Sequence, residues 1–243
     1  LWVVPVDGGA PRQLTRDIRN DWSGRWAPDG KWVAFLSDRG KQTDLWVVPA
    51  AGGQELRVTD DADGEDLMQW LPGNRLAYLT GRGQSSIWAL SLADSSDRRL
   101  TPDSLEVWGP APSPDGTQAA FIVDHGGGVN DIALVPLAGG PIRTLVPGGN
   151  NSEISWSPDG ARIAFSSDRD GNTEIYLMNP DGGDPVRLTD DPASDTEPAF
   201  SPDGRRIAFS SKREGNFDIY VLDLQEAGDV RQLTEASADD TGP

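Results

Sequence analysis

Residues 156–167 read WSPDGARIAFSS and residues 200–211 read FSPDGRRIAFSS, so two stretches 44 positions apart differ at only two places. Aligning the whole chain on the proline of this element finds five copies. They lie at Pro28, Pro72, Pro114, Pro158 and Pro202, with spacings of 44, 42, 44 and 44 residues. A fixed period in the forties is typical of a four-stranded antiparallel blade that is repeated around an axis. The sequence therefore predicts an all-β fold, a β-propeller with about 44 residues per blade.

Each repeat shows the same order of segments. An alternating apolar run follows the turn, such as WVAFLS at 32–37 or RIAFSS at 162–167. A polar, glycine-containing turn and a second apolar run come next, such as IYLMNP at 175–180, and a short edge segment such as PVRLT at 185–189 ends the unit. Alternating β-branched and aromatic residues bounded by Gly, Pro and Asp predict strands, four per unit. No window has helical periodicity.

The SPDG element itself has a structural explanation. Proline sets φ near −65° at the second position of a turn, and aspartate accepts hydrogen bonds from nearby backbone groups at the third. Glycine takes the left-handed conformation at the fourth position. The pattern predicts a type I turn with a glycine bulge that closes a hairpin, and it requires no catalytic group at this position.

The repeat boundaries predict one domain over 1–243. Residues 1–25 align with residues 45–69 and predict the outer half of a blade. The proline-anchored units are 26–69, 70–111, 112–155, 156–199 and 200–243. This count favours six blades, five complete and one partial, and another segment or chain would supply the missing inner strands. Completing a blade removes exposed sheet edges.

The overall composition excludes several classes of function. The chain has 39 acidic and 21 basic residues, a formal net charge of −18, and no cysteine. Nucleic acids and anionic membranes are poor partners for such a surface, and no apolar run is long enough to insert into a membrane. A soluble, self-repelling surface explains the charge, and an acidic face that attracts a cation or a basic segment is the alternative.

Two longer phrases carry a resemblance to a known family. WSPDGARIAFSSDRDGNTEIYLMNPDGG (156–183) and RLTDDPASDTEPAFSPDG (187–204) resemble the TolB-like, or PD40 (WD40-like), β-propeller repeats. Similar repeats form the propellers of prolyl-oligopeptidase-family and tricorn-type peptidases. The resemblance covers essentially the whole chain. The second repeat departs from this pattern with LPGN at 71–74, and the third repeat departs from it with VDHGGGVND at 123–131.

The resemblance implies a non-enzymatic propeller, periplasmic or secreted, that binds a protein or peptide segment at the mouth of its channel. The alternative is the substrate-gating propeller of a larger serine peptidase, although the chain has no G-x-S-x-G element. The single histidine, His125, is interpreted as a turn residue. No catalytic residue, cofactor or metal is predicted, and the absence of histidine clusters argues against a metal-dependent lyase or hydrolase. Oligomeric state stays open.

Hairpin geometry locates the candidate binding residues. The SPDG and Gly-Gly turns fall at one end of each blade, the bottom, whereas the SDR-type hairpins and the blade-to-blade connections fall at the other, the top. Five positions before the repeated aromatic, the polar residues are Asp21, Glu65, Asn151, Asp195 and, by projection, Asp240. We expect them around the channel mouth, where they would attract a basic peptide, together with Trp22 and Trp108 as aromatic anchors. The alternative is that each polar side chain caps its own turn.

Two further patterns have structural interpretations. The hairpin with Asp168, Asp170, Asn172 and Glu174 resembles an oxygen-rich calcium loop, but its equivalents in other units lack the carboxylates, which favours a hairpin turn. The DADGED segment at 61–66 is a weaker pattern of the same kind. Arginines that recur in or near the hairpins are expected to pair with the acidic connections. They are Arg39, Arg82, Arg169 and Arg213.

Overall fold

The computed structural model describes residues 1–16, 19–40, 42–60, 64–81, 85–183, 185–225, 229–235 and 238–243. This part of the chain contains 22 β-strands and no helix, so no helix in it is long and apolar enough to span a membrane. The chain divides into two compact units, Leu1–Leu105 and Glu106–Pro243. Arg82 and residues 61–63 of the DADGED segment lie outside the described residues.

The first unit contains three antiparallel sheets. A two-stranded sheet is formed by β1 (Trp2–Val3) and β2 (Arg12–Gln13). The next sheet contains β3 (Asp21–Trp26), β4 (Trp32–Ser37), β5 (Asp44–Pro49) and β6 (Leu56–Arg57). The third contains β7 (Glu65–Leu71), β8 (Arg75–Thr80), β9 (Ser86–Ser91) and β10 (Asp97–Arg99).

The second unit contains three four-stranded antiparallel sheets. The first has β11 (Glu106–Pro112), β12 (Gln118–Asp124), β13 (Asn130–Pro136) and β14 (Arg143–Val146). The second has β15 (Asn151–Trp156), β16 (Ile163–Ser167), β17 (Glu174–Met178) and β18 (Val186–Arg187). The third has β19 (Asp195–Phe200), β20 (Arg206–Ser211), β21 (Asp218–Asp223) and β22 (Val230–Gln232).

Every four-stranded sheet is a simple meander in which consecutive strands pair antiparallel. Five four-stranded sheets and one two-stranded sheet confirm the predicted all-β fold of propeller blades. The proline-anchored units begin at the last residue of an inner strand, for example at Trp26 and Trp156, or in β7 one residue before it. A blade as a folded sheet therefore begins about five residues before the sequence unit, and the assignment of 1–243 to one domain stays a prediction.

The SPDG turn has the predicted geometry. Gly160 has φ of 71° and its N–H donates to the carbonyl of Ser157 at 2.8 Å. Ser157 N–H in turn donates to the carbonyl of Arg162 at 2.9 Å, and Asp159 Oδ1 accepts from Ala161 N–H at 3.0 Å. The left-handed backbone explains why glycine occupies the fourth position, since a side chain there would be strained.

The core of each sheet lies on its second and third strands. Their apolar runs are buried on both faces, because each sheet packs against the next one within its unit. In the second unit, for example, Ile132 of β13 belongs to the same buried cluster as Phe165 of β16 and Tyr176 of β17. The repeated phenylalanines Phe35, Phe121, Phe165 and Phe209 have no exposed surface.

Candidate functional site

A repeated contact links the hairpin between the second and third strands to the first residue of the inner strand. In three sheets, the hairpin arginine folds back and donates from Nη2 to an oxygen of that residue. The pairs are Asp21 with Arg39, Asn151 with Arg169 and Asp195 with Arg213, at 2.8 Å in each case. We call this contact the arginine clasp. The predicted pairing between hairpin arginines and the acidic connections is therefore present for Arg39 and Arg213, and the partner of Arg169 is an asparagine instead.

The same three arginines also make cation–π contacts with aromatic rings of their own sheets. The guanidinium carbon of Arg213 lies 5.5 Å from the ring centre of Phe209 and 4.5 Å from that of Tyr220. Arg169 and Arg39 sit in the same way over the aromatic residues of their own sheets, namely Phe165, Tyr176, Phe35 and Trp46. Cation–π attraction and a charge-assisted hydrogen bond therefore fix each clasp.

Burial separates the candidate residues into two groups. Asn151 and Asp195 have no exposed surface, Glu65 is 4% exposed, and the side chain of Asp21 is almost as buried. Asp240 is partly exposed. The contacts of Asp21, Asn151 and Asp195 are those of side chains that cap local structure, and a role of these residues in ligand binding stays a prediction.

The two clasp carboxyls differ in their pKa. Burial raises the pKa of Asp195 above its ordinary value, and this effect outweighs the hydrogen bonds from Ser211, Arg213 and Thr189. Burial would also raise the pKa of Asp21, but hydrogen bonds from Ser37, Thr15 and Arg39 outweigh it, so this pKa is lowered. Thr15 and Thr189 follow the last strand of the preceding sheet, so these carboxyls also connect neighbouring sheets.

We expect the two carboxyls to titrate on opposite sides of the ordinary aspartate pKa. The lowered pKa means that Asp21 contributes stability above its unfolded pKa, and this contribution is lost as pH falls through the folded pKa. The raised pKa means that the contribution of Asp195 is present below its unfolded pKa and is lost as pH rises through the folded pKa. Carbon-13 NMR titration of the carboxyl signals, assigned with Asp21→Asn and Asp195→Asn, measures both. A lower pKa for Asp195 than for Asp21 would contradict the expectation.

Trp22 and Trp108 occupy the same position in two inner strands but have different surroundings. Trp22 is 38% exposed and lies on the wall of a polar cavity of about 410 Å³, which Asp21, Arg19 and Asn20 also line. Trp108 is partly buried and packs against the core cluster of its own unit. Of the two predicted aromatic anchors, Trp22 has the more accessible ring.

The inner strands contain β-bulges that were not predicted from the sequence. Each has a bulge, and in four of them the residue two places after the strand's first residue has positive φ. These residues are Ser23, Leu67, Glu153 and Glu197, with φ of 54°, 33°, 56° and 56°, and in β11 the corresponding residue is Gly109, three places after the first residue, with φ of 60°. Positive φ is uncommon for residues other than glycine, and tertiary contacts must maintain it.

Carboxylates hold this bulge in the second unit. Glu153 Oε2 accepts from Ser166 Oγ at 2.7 Å and from the backbone N–H of Glu197 at 2.6 Å. Glu197 Oε2 accepts from Ser210 Oγ at 2.8 Å and from the N–H of Gly242 at 2.8 Å. Glu153 therefore bonds to the equivalent residue of the next inner strand, 44 positions further on, and Glu197 bonds to a residue 45 positions further on. The joint recurrence of glutamate and serine at this spacing is the signal that could have identified the contact.

The calcium-like hairpin uses its oxygens within the protein. Glu174 is fully buried, its Oε1 accepts from Arg187 Nη2 at 2.7 Å, and its Oε2 accepts from Thr189 Oγ1 at 2.6 Å. Asp170 Oδ2 accepts from the Tyr176 hydroxyl at 2.6 Å, and burial together with this bond raises the pKa of Tyr176 to about 12. These contacts support the hairpin interpretation. Among the described residues, no three His, Cys, Asp or Glu side chains are grouped to hold a metal ion.

His125 is also part of a turn. Its Nε2 lies 3.0 Å from Asp131 Oδ2, and Asp131 Oδ1 accepts from the N–H of Gly148 at 2.8 Å. About half of the imidazole is exposed to solvent. The contact joins the hairpin to the following connection, as expected for a turn residue.

Comparison with known proteins supports the fold. The sequence model of the TolB β-propeller domain, PD40, matches residues 1–139, 69–197 and 109–243. An uncharacterised protein of Agrobacterium fabrum, Atu1656, is 30% identical over 154 residues, which are 60% of this chain and 52% of that protein. The chain thus aligns with about half the length of this curated relative.

Two solved structures illustrate the range of similar propellers. TolB from Acinetobacter baumannii is 20% identical, with a TM-score of 0.67 over 95% of this chain and 60% of that one. The β-propeller domain of the Trilobed protease from Pyrococcus furiosus is 14% identical, with a TM-score of 0.75 over 99% of this chain and 78% of that one. Similarity at this level of identity shows a shared fold.

Proposed function

The chain belongs to the TolB β-propeller family, and from this premise we propose that it is a non-enzymatic propeller that binds a basic segment of a partner protein. The observation that carries the proposal is the exposed ring of Trp22 on the wall of a polar cavity. Aromatic side chains that combine a large apolar surface with a polar edge are enriched among binding hot spots. The proposal includes export to the periplasm or cell exterior, which the family resemblance implies.

The negative net charge of the protein supports a positively charged partner segment. A net charge of −18 attracts cationic segments at low ionic strength and repels anionic ones. The clasp carboxyls are buried, so the exposed carboxylates of the connections contribute more to this field. Asp60 and Asp190 are examples: each pairs with an arginine, but their side chains are 79% and 88% exposed. We therefore assign the electrostatic part of the site to the connections.

A short peptide of alternating lysine and alanine tests the proposal. We expect saturable binding by isothermal titration calorimetry, with affinity that falls as salt is added. Trp22→Ala should weaken binding about tenfold or more, as for a hot-spot residue, and Asp60→Asn should weaken it mainly at low salt.

Trp26→Ala is the matched control, because Trp26 is 52% exposed at the other end of the same strand, β3. Its affinity should equal that of the unmodified protein. Equal losses in both tryptophan variants, or unchanged affinity in Trp22→Ala, would overturn the assignment of the site to Trp22. No binding of the peptide at low salt would overturn the proposed basic partner.

A substrate-gating propeller of a larger peptidase is the second candidate, and the similarity to the propeller of the Trilobed protease favours it. The two candidates differ in what the complete gene encodes. A G-x-S-x-G element followed by a histidine in the same polypeptide would support the peptidase and contradict a stand-alone binding protein.

A further inference from the structure

The first unit contains an apolar cavity of about 320 Å³ between two neighbouring sheets, the one that contains β3–β6 and the one that contains β7–β10. Its walls include Trp32, Val47, Leu56 and Leu90. Pockets for small ligands are mainly apolar, are lined by a few polar groups, and have volumes of roughly 300 to 1,000 Å³. The cavity lies near the lower limit of that range, so it would suit a compact ligand.

The cavity coincides with residues at which the chain departs from its own repeat. In the sheet that contains β15–β18, the residue aligned with Trp32 is Arg162, whose Nη2 donates to the carbonyl of Gly204 on the next sheet at 2.9 Å. Trp32 has no guanidinium to make that bond, and its ring forms an apolar wall of the cavity instead. Asn74, which lines the cavity, belongs to the LPGN turn and aligns with Gly204. At this position an apolar side chain therefore takes the place of an arginine that bonds to the next sheet.

Two residues on the rim have left-handed backbone conformations. Asn74 has φ of 55° and Ser95 has φ of 56°, and both line the cavity. The other non-glycine residues of this kind in the described part of the chain are Ser23, Leu67, Glu153 and Glu197, all in inner-strand bulges. Serine is strained in this conformation, and such residues are often found at binding sites. Two short polar residues therefore lie on the rim of one apolar space.

The positive charge at the cavity is already paired with carboxylates. Arg57 is the cationic residue on the cavity wall, and its guanidinium pairs with both Asp44, at 2.7 Å, and Asp60, at 2.5 Å. An anionic ligand would compete with these carboxylates, and an apolar wall does not compensate a cationic ligand. The amide N–H of Asn74 donates to Asp29 Oδ2 at 3.0 Å, which leaves the side-chain carbonyl oxygen as an acceptor. Ser95 lines the same cavity, and its hydroxyl can also accept a hydrogen bond.

We propose that this cavity binds a small neutral molecule with an apolar body and one hydroxyl-type hydrogen-bond donor. The apolar walls exclude water and hold the body, and the carbonyl oxygen of Asn74 or the hydroxyl of Ser95 accepts from the donor. The site is separate from Trp22 and does not depend on the peptide-binding proposal.

Isothermal titration calorimetry with three probes tests the proposed ligand class. 4-Ethylphenol should bind saturably at one site, and ethylbenzene, which lacks the hydroxyl, should bind about fivefold more weakly for the loss of one hydrogen bond. 4-Ethylbenzoate, which carries a negative charge, should not bind measurably. Absence of 4-ethylphenol binding, or equal affinity for the benzoate, would overturn the proposal.

A filling variant with a matched control locates the binding. Leu56 is 45% exposed at the cavity, and Val186 is 61% exposed at the aligned position of β18. Leu56→Trp should reduce 4-ethylphenol affinity at least about tenfold by occupying the space, whereas Val186→Trp should leave it unchanged. Ser95→Gly relieves the positive φ without filling the cavity, so it should fold and retain ethylbenzene affinity. Equal affinities in the two tryptophan variants would show that the probe binds elsewhere.

Discussion

Replacing Asp195 by Ala is expected to lower the free energy of unfolding by about 3 kcal/mol, because removing one partner of a buried ion pair leaves the other charge uncompensated. Asp195 is fully buried, and both of its oxygens accept from Arg213, at 3.1 and 2.8 Å. Without the carboxylate, the guanidinium keeps its aromatic contacts with Phe209 and Tyr220 but loses its hydrogen-bonded counter-charge, and the remaining carboxylate, Asp191, is 4.0 Å away. The variant should therefore weaken the clasp of its sheet.

Urea denaturation followed by circular dichroism measures this loss. Asp240→Ala is the control, because Asp240 aligns with Asp195 but is partly exposed, and its backbone N–H still donates to the carbonyl of Phe217 at 2.7 Å. We expect this control to change stability by less than about 0.5 kcal/mol, as surface substitutions usually do. Similar losses in both variants would mean that the clasp does not contribute to stability beyond a general charge effect.

Replacing Glu174 by Ala should destabilise the protein by a similar amount, about 3 kcal/mol, since several buried donors lose their acceptor at once. Arg187 and Thr189 donate to its two oxygens, and Asn172 and the N–H of Asp191 each donate to Oε1 at 3.0 Å. The carboxylate thus joins the third strand to the last strand and the following connection. Thermal and urea denaturation both measure the effect.

Asp218→Ala is the matched comparison for this position. Asp218 aligns with Glu174 but makes longer bonds, at 3.3 Å from Gln232 and 3.4 Å from Thr234, and its partners are uncharged. Its replacement should cost about half as much, because uncharged partners lose less than an arginine does. A larger loss for Asp218→Ala than for Glu174→Ala would contradict the importance of the Arg187 pair.

The fold could be predicted from the sequence because its signals are local and repeated. The turn that ends in Gly160 depends on four consecutive residues, and the alternation in 162–167 depends on the two-residue period of a strand. Five copies of the same pattern then indicate the number of blades. The inner-strand bulges were not predicted, because serine, leucine and glutamate at these positions carry no common local preference for positive φ.

The candidate site was only partly predictable. The sequence placed Asp21 and Asp195 at the starts of inner strands, where the structure has them. It did not show their burial, because the arginine that covers each of them lies 18 positions further along the chain. The different exposure of Trp22 and Trp108 was equally hidden, since it depends on packing between neighbouring strands.

By itself, then, the sequence determined the period, the turns and the alternation of strands, and with them a β-propeller of antiparallel blades. These properties follow from backbone preferences and side-chain spacing within a few residues. Tertiary structure alone decided that Asp195 lies inside an arginine clasp, that Glu153 bonds to the next inner strand, and that Trp32 faces a cavity. Each of these depends on atoms brought together from distant positions, and the physical reason is that burial and pairing are properties of the packed sheets.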